Sequence, residues 1–124
     1  MSNDPRIPPP SPLDIPIVHS LYEIYAVWHR LVLKFPKIER YALGQTCSQL
    51  LLEIIERILA AASIPNKTTK AIYLQQASSK LDTLKLLIRL CKDCDCISNV
   101  QYLGLEAKLH HTGKMLGGWI KSCC

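Results

Sequence analysis

No run of apolar residues in this sequence is long enough to cross a membrane. The longest, residues 50–62, is interrupted by Glu53, Glu56 and Arg57, whereas a transmembrane helix needs about 20 predominantly apolar residues. The first five residues, MSNDP, lack the basic start and the apolar segment of a secretory signal. We therefore expect a cytoplasmic protein whose six cysteines are reduced thiols.

The motifs of the common enzyme classes are also missing. The sequence has no glycine-rich phosphate loop, no nucleophile elbow and no paired-carboxylate motif. None of its four histidines belongs to a His-x-x-x-His pair or a Glu-x-x-His ligand set. We therefore predict a non-enzymatic protein that uses no cofactor.

Strand-like alternation of apolar and polar residues does not extend far enough to predict a sheet. Instead, apolar residues recur every three or four positions, which predicts helices over about 16–35, 38–63, 67–92 and from 99 onward. Four amphipathic helices with short connections predict an all-α, up-down-up-down four-helix bundle. Six of the eight prolines fall within residues 1–16. We expect this segment to be a disordered tail ahead of a bundle over residues 17–124.

Two of the predicted helices have particularly regular core stripes. The stripe of the second helix consists of Leu43, Cys47, Leu50, Ile54, Ile58 and Ala61. The stripe of the third helix consists of Leu74, Ala77, Leu81, Leu84, Ile88 and Cys91. On the fourth helix, Gly113 and Gly117 lie beside the core stripe, where we expect them to permit close helix–helix contact.

A second apolar seam runs beside these stripes. On the second helix it includes Leu52, Ile55 and Leu59, about 100° around the helix from the core stripe. The other helices add Tyr22, Ala26, Leu33, Leu86 and Leu90. The seam is either a wide core face, because each bundle helix touches two neighbours, or a subunit interface. Leu52, Ile55 and Leu59 are the candidate interface residues.

The cysteine spacing Cys91-x-x-Cys94-x-Cys96 would suit zinc, and Cys123–Cys124 could complete a four-thiolate site. In an antiparallel bundle, however, these two groups lie at opposite ends of the last helix, roughly 35 Å apart. Cys47 falls at the same end as Cys91, so a site of three or four thiolates there stays open. We nevertheless predict that no metal is bound.

Positive charge is the clearest functional signal in the sequence. Fifteen Lys and Arg against ten Asp and Glu give a net charge of +5, which suits a polyanionic partner. Two cation groups fall at the C-terminal ends of the first and third predicted helices, and helix-dipole compensation accounts for only one or two cations per helix. The candidate nucleic-acid-binding residues are Arg30, Lys34, Lys37, Arg40, Lys85, Arg89, Lys92, Lys108 and Lys114.

This cationic surface has two interpretations, a phosphate-binding surface or a merely solvated face. Aromatic residues are few and fall mostly on the core stripes. The sequence therefore favours contact with the nucleic-acid backbone over base stacking.

Two segments resemble a known family. They are Phe35-Pro36-Lys37-x-Glu39-Arg40-Tyr41-x-Leu43-Gly44-Gln45 and Gly113-Lys114-Met115-Leu116-Gly117-Gly118-Trp119. The family of four-helix bundles they resemble includes the accessory variability determinant (Avd) of diversity-generating retroelements. It also includes the proteins encoded in intervening sequences of bacterial 23S ribosomal RNA genes. The resemblance covers about residues 21–122.

The resemblance implies a homopentameric, barrel-like assembly with a basic surface and no catalytic residues. In the retroelement branch, such an assembly binds the reverse transcriptase and template RNA or DNA, and supports mutagenic cDNA synthesis during retrohoming. Lys37, Arg40 and Lys114 lie inside the matching motifs, whereas the cysteine groups do not. The alternatives are a ribosomal intervening-sequence protein of unassigned role and a structural oligomer that binds no nucleic acid.

Overall fold

The computed structural model describes residues 14–123, and over this range the chain forms four long helices and no strand. The predicted all-α fold is therefore confirmed. No helix in this range is both long and apolar enough to cross a membrane. The tail predicted over residues 1–16 lies outside the described residues except for its last three.

Each helix lies close to its predicted position. Helix α2 is continuous over residues 37–63 but has three parts: a turn at Lys37–Glu39, a π-helical segment at Arg40–Gly44 and an α-helix at Gln45–Ser63. The other three helices are α1 (Pro16–Val32), α3 (Lys67–Asp93) and α4 (Asn99–Ser122). Short connections join the four helices over residues 33–36, 64–66 and 94–98.

The helices pack as an antiparallel bundle in which α1 and α3 each contact both α2 and α4. Between α2 and α3, the Lys80 ammonium donates a hydrogen bond of 3.2 Å to Glu53 Oε2. Between α1 and α4, the hydroxyls of Ser20 and Thr112 are hydrogen-bonded at 2.7 Å. This arrangement is the predicted up-down-up-down four-helix bundle.

Trp28 of α1 is one of the largest fully buried side chains of the core. Its indole Nε1 donates to Ser48 Oγ at 2.9 Å, which satisfies the one polar atom of the ring. Phe35 packs edge-on against the indole, with ring centroids 5.4 Å apart. Truncation of such a buried indole typically costs about 3–5 kcal/mol, so this cluster holds α1 against α2.

The predicted core stripes are confirmed for α3 and need correction for α2. All six predicted core residues of α3 are buried. In α2, Leu43 and Leu50 are only half-buried, and Leu51, which was not among the predicted core residues, is fully buried. Adjacent residues lie about 100° apart on a helix, and periodicity alone does not determine which of them faces the centre of the bundle.

The predicted close helix contact at the glycines of α4 holds at Gly113 but not at Gly117. A Cβ atom at Gly117 would have no heavy atom within 4 Å, so the close-contact prediction is wrong there. At Gly113 the same atom would lie 3.2 Å from Lys85 Nζ. The tightest position is Gly44 in the π-helical segment, where a Cβ would lie 2.5 Å from Val32 Cγ2. Gly44 is therefore the residue that permits α1 to approach α2.

The connection between α3 and α4 is fixed by its backbone. Asp95 has a φ of 61°, in the left-handed region, and the Cys96 amide donates to the Cys91 carbonyl at 2.8 Å. These two features form a Schellman motif that ends α3. The Ser98 and Gln101 side chains then form a capping box that begins α4. The end of α3 and the start of α4 are thus both held by hydrogen bonds within the connection.

Candidate nucleic-acid interface

One end of the bundle is formed by the C-termini of α1 and α3 and the N-termini of α2 and α4; we call it the cationic end. The antiparallel topology brings both predicted cation groups to it. The predicted cations at this end are Arg30, Lys34, Lys37, Arg40, Arg89 and Lys92, whereas the seventh, Lys85, has its ammonium beside Gly113, past the middle of α4. The four carboxylates in the same region are those of Glu39, Asp93, Asp95 and Glu106. Positive charge is therefore in excess at this end.

Three of these six cations are engaged within the chain. Arg40 Nη2 donates to the Leu33 carbonyl at 2.7 Å, close to the C-terminus of α1. Lys92 Nζ lies 5.1 Å from the centre of the Tyr102 ring, a cation–π geometry. The third engaged cation is Arg89, 4.0 Å from Asp93.

The other three, Arg30, Lys34 and Lys37, are exposed. Within residues 14–123 their side chains form no hydrogen bond or ion pair. They follow one another along the last turn of α1, the connection and the first turn of α2. Their charges are therefore the ones most available to a phosphate from outside the protein.

The two candidate cations of α4 do not join this surface. Lys108 lies in a cleft between α1 and α4 that Glu23 and His111 also line. Lys114, six residues further along, lies about 120° around the helix from Lys108. The nine candidate residues therefore form one group of six and three separate positions.

The thiols near the cationic end are mostly buried. Cys47 and Cys91 are fully buried, and a hydrogen bond to Cys47, together with burial, raises the pKa of the Cys91 thiol far above its usual range. Burial also raises the pKa of Cys96, whereas Cys94 is exposed. Within the described range, no group of three or more Cys, His, Asp or Glu side chains is arranged to hold a metal ion.

The second apolar seam is largely uncovered. Its α1–α2 part forms a groove of about 450 Å³ lined by Tyr22, Tyr25, Ala26, His29, Leu52 and Ile55. Leu52 is 47% exposed and Leu59 is 37% exposed, while Ile55 is half-buried. On the outer face of α3, Leu86 is 68% exposed. A wide core face therefore explains Ile55 but leaves Leu52, Leu59 and Leu86 facing solvent.

One surface feature was not predicted from the sequence. Tyr41, in the π-helical segment, is 66% exposed, although most aromatic residues were expected to lie in the core. It borders a cleft of about 410 Å³ whose other lining residues are Gln45, Thr46, Gln49, Leu50 and Glu53. The sequence feature that could have predicted this cleft is the set of polar residues that follows Tyr41 along one side of α2.

Comparison with known families gives a match over most of the chain. A family model described as bAvd-like matches residues 17–123, nearly the whole chain. The search of curated proteins found no match.

Proposed function

This chain belongs to the bAvd-like family, and we propose that it is the non-enzymatic accessory protein of a diversity-generating retroelement. In this role it binds the element's reverse transcriptase and template RNA or DNA, and so supports mutagenic cDNA synthesis. The cationic end contacts the nucleic acid. The family match covers both motifs identified in the sequence, and this supports the association with such an element.

The observation that carries the nucleic-acid role is the set of three unpartnered cations at the cationic end. Arg30, Lys34 and Lys37 are exposed and have no internal ion pair in the described part of the chain. An engaged cation such as Arg40 must break an internal contact to bind phosphate, whereas these three do not. Phosphate binding by such side chains releases counterions and depends little on sequence.

The proposal includes a ring-like homo-oligomer, with five subunits favoured by the family resemblance. Leu52, Ile55 and Leu59 form part of the subunit interface, since burial of these exposed apolar side chains is favourable. Assembly repeats the cationic end once per subunit. The ring therefore presents several times the charge of one chain to a single nucleic-acid molecule.

A salt titration of binding to a mixed-sequence RNA tests the nucleic-acid role. Alanine substitution of Arg30, Lys34 and Lys37 together should lower the affinity and reduce the log–log salt slope by about 0.7–0.9 for each phosphate that is no longer neutralised. The Lys85/Arg89/Lys92 triple alanine variant should also weaken binding, but less, because Arg89 and Lys92 are engaged within the chain and the Lys85 ammonium lies away from this end. Unrelated RNA sequences should be affected alike.

The control is the Lys67/Lys70/Lys121 triple alanine variant, which removes the same charge from the opposite end of the bundle. Its affinity should stay closer to that of the wild type. Equal binding by all the variants would mean that the cationic end is only solvated surface.

Two further observations separate the family branches. Co-purification of a reverse transcriptase with the chain, and a neighbouring reverse-transcriptase gene with a template and variable repeat pair, support the retroelement role. A gene located within a 23S ribosomal RNA intervening sequence supports the other branch. A structural oligomer without a nucleic-acid role predicts no binding in the salt titration.

A further inference from the structure

Tyr41 is the most exposed of the described tyrosines. Three of the others contact a charged or aromatic side chain, and Tyr22, which is 58% exposed, lines the apolar groove between α1 and α2. Tyr41 has no ring or cation contact in the described range and is 66% exposed. Its flat apolar face is therefore available to a molecule from outside.

The cleft beside Tyr41 supplies polar groups of the kind that recognise a base edge. The side chains of Gln45 and Thr46 form no hydrogen bond within the described chain. Gln49 makes one long bond of 3.5 Å to Glu53. An amide offers both donors and acceptors, and a hydroxyl offers one donor and two lone pairs. The cleft thus combines one aromatic face with unused amide and hydroxyl groups.

The single carboxylate in the cleft is already neutralised. Glu53 accepts from Lys80 at 3.2 Å, and hydrogen bonds from Lys80 and Gln49 lower the pKa of this carboxyl. It therefore stays ionised and paired with Lys80 at neutral pH. Its charge does not oppose an approaching polyanion as strongly as a free carboxylate would.

The Tyr41 end of the cleft follows one of the unpartnered cations along the chain. Lys37 precedes Tyr41 by four residues, about one helical turn. The backbone of a strand whose base stacks on Tyr41 would therefore pass within reach of Lys37. Stacking on exposed aromatic rings beside a basic surface is the usual way in which proteins hold single-stranded nucleic acid.

We propose that the cleft formed by Tyr41, Gln45, Thr46 and Gln49 binds an unpaired base of a single-stranded nucleic acid. This proposal rests on the nucleic-acid role proposed above and specifies its substrate as single-stranded. It also replaces the sequence-based expectation of backbone contact alone. The backbone contacts of the cations and the stacking on Tyr41 act together at one end of the bundle.

The test compares the affinities for a single-stranded RNA and for a blunt duplex of the same sequence at fixed salt. Tyr41→Leu keeps an apolar side chain but removes the aromatic face. It should weaken single-strand binding by roughly 5- to 150-fold, the range for loss of one stacked base, and change duplex binding little. Tyr41→Phe keeps the ring and should bind nearly as wild type does.

Each alternative outcome overturns the proposal in a distinct way. If Tyr41→Leu weakens single-strand and duplex binding equally, Tyr41 contacts the backbone and not a base. If Tyr41→Phe weakens single-strand binding as much as Tyr41→Leu does, the effect belongs to the hydroxyl group and not to the ring. Unchanged RNA binding with loss of reverse-transcriptase capture would make the cleft a protein-docking site. If the wild type binds no nucleic acid, the proposed function fails as well. If the Arg30/Lys34/Lys37 variant binds more weakly but the Tyr41 variants bind as wild type does, the proposed function holds and the role of the cleft does not.

Discussion

Among individual residues, Cys91 shows how the surroundings of a side chain determine its chemistry. Its thiol is fully buried between α2 and α3 and shares a hydrogen bond with Cys47. Both effects raise the pKa, so the thiol stays protonated in the folded chain at pH values where an exposed cysteine ionises. Because the thiolate is the nucleophile and the metal ligand, Cys91 behaves as a small core residue.

This shift predicts a loss of stability at alkaline pH. The unfolded chain releases the Cys91 proton near pH 9.0, whereas the folded chain retains it. Below that pH both states bind the proton and stability is unaffected; above it, the free energy of unfolding should fall by about 1.4 kcal/mol per pH unit. Urea unfolding of the reduced protein between pH 7 and 10 measures the slope.

Two cysteine variants provide the controls for this prediction. In Cys91→Ala, the fall in the free energy of unfolding that Cys91 causes above pH 9.0 should be absent. The cavity left by the substitution lowers the stability of this variant equally at every pH. Cys94→Ala, which removes an exposed thiol of the same segment, should keep the wild-type slope. An identical slope in Cys91→Ala would show that other groups cause the alkaline loss.

At the scale of helices, the contact between α1 and α2 depends on Gly44. A Cβ at Gly44 would lie 2.5 Å from Val32 Cγ2 and 3.3 Å from the Glu39 carbonyl oxygen. Gly44 has right-handed helical dihedrals, so its conformation is open to any residue. The requirement for glycine is therefore one of space between the two helices.

Gly44→Ala should lower the free energy of unfolding by about 1–3 kcal/mol, the usual cost of overpacking. Gly104→Ala is the matched control, because a Cβ there meets no heavy atom within 4 Å. It should instead raise stability by up to about 1 kcal/mol through helix propensity. Adding Val32→Ala to Gly44→Ala should recover part of the loss. Chemical unfolding in which both glycine variants respond alike would contradict this explanation.

Much of the helical architecture was predictable because strong signals coincide at the helix ends. Pro36 and Pro65 mark the first two connections, and the start of α3 at Lys67 was predicted correctly. The end of α1 was less accurate: the prediction reached Phe35, but the helix ends at Val32. Phe35 lies in the turn after α1, and its side chain is buried in the core. Apolar periodicity does not distinguish such a buried turn residue from one more turn of helix.

The candidate site was predictable only in part. The sequence indicates which cations share an end, because alternating helices bring the two groups together. It does not reveal that Arg40 bonds to the Leu33 carbonyl while Lys34 and Lys37 have no partner in the described chain. The exposed Tyr41 lies in the π-helical segment, in which the turn widens. A single wide turn leaves no periodic signal in the sequence.

For the molecule as a whole, the second apolar seam exposes side chains in two different places. The groove between α1 and α2 includes Leu52, and the outer face of α3 presents Leu86 and Leu90. A two-fold dimer needs one self-complementary surface, whereas a ring of more subunits needs two different surfaces on every chain. Two separate apolar regions on one small bundle suit the second arrangement.

The proposed ring predicts that light scattering gives a mass of several times 14.0 kDa for the wild-type protein. Leu52→Glu with Leu59→Glu should dissociate it and leave the helical circular-dichroism signal largely intact, because neither side chain lies in the core. The control, Val100→Glu with Leu103→Glu, adds the same charge to exposed residues of α4 and should keep the wild-type mass.

Dissociation should also change how nucleic-acid binding responds to salt. Five subunits with one phosphate contact each give a log–log slope of about 4, whereas a single chain with the same contact gives about 1. The Leu52/Leu59 variant should therefore show a lower mass and a shallower slope together, although every cation of its cationic end is still present. A wild-type chain that is monomeric at micromolar concentration would exclude the ring. A dissociated variant that keeps the steep slope would show that one bundle makes all the phosphate contacts by itself.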